Sequence, residues 1–147
     1  MKNIVGFLGN VPAKLEGPTV VKSDLVFGKR IFIAYTSEGN CFIREMLVQG
    51  KAFMKPNFSW FAKGFIVWMD GGKPKQQEYE FSLKDSGIIP NDYNMHQTFH
   101  TREDAVNYIG RYEHNEMSLF ENRKRERVAQ LRAMGYRNSK FTRKKDI

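Results

Sequence analysis

The sequence predicts an α+β fold: an antiparallel β-sheet of about five to six strands within residues ~3–83, followed by two C-terminal helices and a basic tail. Three observations predict it. Short β-rich apolar runs alternate with Gly-containing turns through the first half of the chain. Tyr79, Phe81 and Leu83 alternate with Glu78, Glu80 and Ser82, so one face of that strand is wet, as in an antiparallel sheet covered on one side. After residue 100 the apolar spacing changes to the helical period behind a capping Thr.

The first β-rich run covers 19–27 and is punctuated by Gly28-Lys29. Runs at 30–35 and 41–48 flank the turn Ser37-Glu38-Gly39-Asn40 and predict a hairpin. A longer apolar stretch, 58–69, ends at Asp70-Gly71-Gly72, a turn leading into the alternating strand 77–83. Residues 84–98 hold Gly87, Pro90 and Asn91-Asp92 and predict a loop. Thr101 caps a helix whose buried face is Ala105, Val106, Ile109 and Tyr112, with Glu103 and Asp104 at the positive end of its dipole. A second helix is predicted over 116–134 and stopped by Gly135. The organisation is therefore a β-rich core domain with a covering helix (1–112) and a basic helix-and-tail extension (113–147).

Size and composition narrow the class. The 147 residues suit one domain, and twelve Phe, six Tyr and two Trp can fill a core without staples. The lone Cys41 excludes an intramolecular disulfide and a cysteine-rich zinc site, and favours a reducing compartment. No apolar run approaches the ~20 residues that span a bilayer, and the run after Lys2 is too short for a signal-peptide core. A cytoplasmic protein without membrane contact is expected.

The formal charge of +8 is unevenly placed. Residues 1–110 carry 13 Lys and Arg against 11 Asp and Glu, whereas residues 111–147 carry 11 against 5. Like charges repel, and such a concentration is most easily tolerated beside a polyanion, whose condensed counterions are released on binding. Arg123, Lys124, Arg125, Arg127, Arg132, Arg137, Lys140, Arg143, Lys144 and Lys145 are the candidate phosphate contacts, with Tyr136 and Phe141 as candidate stacking rings. Met117, Phe120, Val128 and Leu131 form one narrow helical stripe, suited to shallow docking on a partner, with Lys124 inside it.

A second candidate lies in the aromatic stretch 58–68. One register holds Phe61, Lys63, Phe65 and Val67, the other Trp60, Ala62, Ile66 and Trp68. If one is exposed, Phe61 with Lys63 is the candidate stacking pair, with Arg30 and Arg44 as neighbours across a hairpin. The simpler reading is that both registers are core. His96 and His100 precede the cap and lie roughly 13 Å apart on an extended chain, too far to share a metal. His100 with His114 and a carboxylate such as Glu113 is geometrically conceivable, but no metal site or cofactor is expected. No Gly-x-Ser-x-Gly, Walker-type loop or His-Glu-x-x-His occurs, and Cys41 within a strand reads as a small core residue.

Trp68-Met69-Asp70-Gly71-Gly72-Lys73-Pro74, and the order of strands followed by a helix, resemble the single-stranded nucleic-acid-binding modules of the Whirly and PUR-type families, including the turn of transcriptional coactivators of that architecture. The resemblance concerns element order and leaves the tail outside it. The expected function is non-enzymatic binding of a polyanion, whether DNA, RNA or ribonucleoprotein, through the basic C-terminal segment. An accessory or viral-type effector docking on an acidic protein is the alternative, and a metal-dependent nuclease built on Glu38, Glu45, Asp70, Glu78 and Glu80 a third.

Overall fold

A computed structural model describes residues 15–135 of the chain. Its elements are β1 (Arg30–Tyr35), β2 (Phe42–Val48), β3 (Phe53–Met54), β4 (Trp60–Asp70), β5 (Lys73–Ser82), β6 (Gln97–Phe99), α1 (Arg102–Glu113) and α2 (Leu119–Ala133). All pairings are antiparallel: β6 borders β1, β1 pairs β2, β2 pairs β4, and β4 pairs β5. β3 follows β2 along the same edge of β4, because β5 takes the other edge over residues 61–70. A curled sheet followed by two helices is the predicted α+β class.

The curled sheet buries both of its faces in part. Ile31 and Ile33 of β1, Met46 and Val48 of β2, Ala62 of β4 and Phe81 of β5 share one face. That face is closed by Val20, Leu25, Leu83 and Ile88. The opposite face presents Phe32, Ala34 and Phe99 to Ala105, Tyr108 and Tyr112 of α1, with Met117 and Val128 joining from the second helical segment. Fully burying each large apolar side chain contributes ~1.5–3 kcal/mol. Gly64 permits the close approach of β2 and β4: a Cβ there would lie 2.7 Å from Met46 Cγ and 2.8 Å from the Leu47 carbonyl.

Local chemistry accounts for the departures from expectation. Residues 19–27 do not form a strand. Thr19 makes a single bridge to Phe99, and Lys22–Asp24 forms a 3₁₀ turn closed by the Asp24 carboxylate, which accepts the Val21 N–H at 2.8 Å. The stretch read as a loop contains β6. It is held by buried polar side chains: Asn91 Oδ1 accepts the N–H groups of Tyr93 and Asn94 at 2.9 Å each, and Thr98 Oγ1 donates to the Ser86 carbonyl at 2.7 Å. The β4–β5 hairpin turns at Gly71 and Gly72, whose φ values of +59° and +82° suit the tight turn. Both helices start on hydroxyl caps. Thr101 accepts from the Asp104 N–H, as predicted, and Ser118 forms a capping box with Glu121. Asn115 at φ +57° ends the turn after α1.

The inner face of α1 differs from the predicted set. Ala105, Tyr108, Arg111 and Tyr112 are buried, whereas Val106 is exposed. Arg111, 4 % exposed, donates two hydrogen bonds to Glu16 at 2.8 and 2.9 Å and two to Glu121 at 2.9 and 3.0 Å. One guanidinium thus ties the segment before the sheet, α1 and α2 together.

Candidate nucleic-acid interface

α2 carries the described part of the basic segment, and its side chains divide into two sets. Val128 is buried and Leu131 partly buried, so this side of the helix lies on the chain itself. Met117, just before the cap, is buried in the same cluster. Phe120, fourth member of the predicted stripe, is 77 % exposed and lines a cleft of about 680 Å³ between α2, the 87–92 loop and the segment around Glu16. The stripe is therefore divided: Met117 and Val128 serve the chain's own core, and only Phe120 faces outward.

The cations divide as well. Arg125 lies flat on Tyr112, its guanidinium carbon 3.7 Å from the ring centroid, and donates to the Tyr112 carbonyl at 2.8 Å and to Glu38 at 3.1 and 3.2 Å. The Tyr112 hydroxyl, which also donates to Glu38, and then Arg125 hold the Glu38 carboxyl below its ordinary pKa. Lys124 is half-buried in the cleft wall, and burial lowers its pKa. Arg127 reaches Asp92 at 3.6 Å, an exposed pair of little net strength. Arg123 is exposed and makes no ion pair among the described residues, and Arg132 is also exposed. Arg137, Lys140, Arg143, Lys144, Lys145, Tyr136 and Phe141 lie outside the described residues. Residues 15–135 hold 17 Lys and Arg against 15 Asp and Glu, so most of the excess positive charge belongs to the two ends of the chain.

The sheet separates the second candidate group. Phe61, Lys63 and Phe65 share the face that carries Arg30, through the ladder pairs Arg30↔Leu47 and Leu47↔Phe65. Lys63 is exposed, while Phe61 is half-buried beneath the Lys55 ammonium, 4.1 Å from its ring centroid. Arg44 pairs with Ile33 and lies on the opposite face, so it is no neighbour of Lys63. The β1–β2 register, which sets Arg30 against Leu47 and Arg44 against Ile33, separates the two arginines.

Most of the remaining candidate groups are engaged in the fold, whereas Asp70 and Glu78 are exposed. His96 Nδ1 lies 3.0 Å from the Asp85 carbonyl, and burial lowers its pKa. His100 lies 2.7 Å from Lys29 Nζ, and His114 is exposed at the end of α1. Cys41, just before β2, packs against the helix-side core, and burial raises its pKa. Glu45 pairs with Arg30, and Glu80 with Lys55. Among the described residues no group of three His, Cys, Asp or Glu could hold a metal ion. None of the described helices is long and apolar enough to cross a membrane.

No curated protein and no solved structure matches the chain. The family described as Phage g100-like protein matches residues 19–112, which hold all six strands and nearly all of α1 and leave α2 outside. That match covers more than half of the 147 residues, and the chain belongs to the Phage g100-like protein family.

Proposed function

We propose that this phage-type protein binds nucleic acid without catalysing a reaction on it, through the exposed side of α2 and the basic residues that follow. The charge distribution carries the reading. Arg111 and Arg125 are consumed by internal carboxylates, and the body is close to neutral. Arg123, Arg127 and Arg132 stay exposed on α2, and residues 136–147 add five Lys and Arg against one Asp. Such an arrangement holds phosphates without reading bases. The test is fluorescence anisotropy of a labelled oligonucleotide across a salt series. Five phosphate contacts would weaken binding by roughly 100- to 1000-fold between 50 and 200 mM salt. Deleting 136–147 should reduce that slope. Binding that is flat across the series overturns the proposal.

Phe120 favours a second reading, in which an acidic protein occupies the cleft. A large exposed ring offers an apolar anchor beside Lys124 and Arg127, with Asp92 opposing Arg127 in the same cleft and Glu16 and Glu121 engaged by Arg111. A complex with a purified acidic host protein that survives nuclease treatment and is lost in Phe120→Asp supports it. A complex destroyed by nuclease counts against it.

A further inference from the structure

We propose that Phe42, Arg44, Trp68 and Lys75, at one end of the sheet and backed by the half-buried Tyr35 and Tyr79, form a stacking platform for the bases of single-stranded nucleic acid. The ladder places all six on one face. Tyr35 pairs with Phe42, Arg44 stands two residues before Met46, and Met46 pairs with Ile66. Two residues beyond Ile66 stands Trp68, which pairs with Lys75, while Tyr79 pairs with Gly64. β1, β2, β4 and β5 lie side by side there, and four strands at ~4.8 Å spacing span roughly 14 Å, room for about two or three nucleotides.

The side chains fit that ligand. Tyr35 and Phe42 are stacked with centroids 4.7 Å apart. Arg44 reaches across them and over β4, its guanidinium carbon 5.1 Å from the Tyr35 ring, 5.8 Å from Phe42 and 5.1 Å from Tyr79. It donates to the Tyr35 hydroxyl at 3.3 Å and has no carboxylate partner among the described residues. A guanidinium oriented by rings retains most of its five N–H donors for a phosphate or a base edge. Phe42 is 44 % exposed and Trp68 42 % exposed, so flat apolar rings stand open beside cations. Lys73 and Lys75 add charge on the same face, opposed there by Asp70, and Asp85 near Tyr35 is engaged by the Tyr93 hydroxyl at 2.7 Å. A ligand with flat π faces and a negative backbone satisfies both features, and only an unpaired strand exposes its bases. The platform rests on the nucleic-acid reading above but not on α2 as the contact.

The test uses the full chain with Trp60→Phe, which leaves Trp68 as the sole tryptophan. Its fluorescence is titrated with oligo-dT, oligo-U and a duplex of matched length. Quenching by single strands and little by duplex is the expected result, the dT and U arms separating DNA from RNA. Phe42→Ala and Arg44→Met should each weaken single-strand binding roughly 10- to 100-fold. Lys75→Gln, at an exposed position, should weaken it severalfold without affecting folding. Single-strand binding with little salt dependence but strong Trp68 quenching would retain the platform and reject α2. Equal quenching by duplex, or none by any oligonucleotide, overturns the platform, as does a partner protein that binds through Trp68 when oligonucleotides do not.

Discussion

Arg125 of α2 lies on the ring of Tyr112 of α1 at 3.7 Å, and its guanidinium joins that tyrosine's carbonyl to Glu38 in the β1–β2 turn. A residue that looks like one more cation in a basic helix is thus the clasp that holds the helix to the sheet.

Arg125→Ala is expected to cost ~1–2 kcal/mol of stability, from the lost cation–π contact and hydrogen bonds. It should alter nucleic-acid affinity less than Arg123→Ala, which removes an exposed cation. Urea unfolding and anisotropy on both variants check this. Equal stability of Arg125→Ala and the parent would show that the clasp does not hold α2.

Acid should loosen α2. The Arg111 guanidinium holds the Glu121 carboxyl at a pKa of about 2, below its ordinary 4.5. A depressed carboxylate pKa contributes stability above the unfolded value, and that contribution is lost as pH falls from about 4.5 towards 2. Glu121→Gln should cost ~2–3 kcal/mol at neutral pH and flatten this part of the acid limb. Urea midpoints measured between pH 2 and 7, roughly the range over which such carboxylates titrate, read it directly.

The divided stripe makes a paired prediction. Val128→Ala should cost ~1–3 kcal/mol because it opens a hole in the helix-side core, whereas Phe120→Ala should stay within ~0.5 kcal/mol. Thermal melts of the two variants side by side measure the contrast. Similar losses would mean that Phe120 is covered in solution.

At Gly64 a methyl group meets Met46 and the Leu47 carbonyl, so Gly64→Ala should cost ~1–3 kcal/mol or shift the β2–β4 register. Gly71→Ala meets open space but carries φ +59°, so its cost should be the smaller ~1–2 kcal/mol of a left-handed turn. Chemical denaturation reads both, and amide exchange on β2 separates a register shift from a simple loss.

Much of the fold was legible where local chemistry decides it. The hairpin turns at Gly39 and Gly71-Gly72, the alternation from Tyr79 to Phe81 and the Thr101 cap depend on near neighbours, and each stands where the residue pattern puts it. Thr19–Val21 resembled a strand because β propensity says nothing of a partner, and the Asp24 side chain turns the chain there. β6 was illegible because three residues carry no period and its order comes from the Asn91 and Asn94 network. Of the candidate site, the concentration of charge was legible, but its division into free and engaged cations was not.

The α+β class, the positions of the main turns and caps, and the excess of positive charge towards the C-terminus follow from residue order alone, because spacing and composition are local quantities. Long-range packing makes Arg111 and Arg125 structural while Arg123 is exposed, and strand register sets Arg30 and Arg44 on opposite sides of the sheet. The partners of Arg111 and Arg125, Glu16 and Glu38, lie 95 and 87 residues away along the chain. Whether a charge is free or engaged depends on which distant carboxylate folding brings to it.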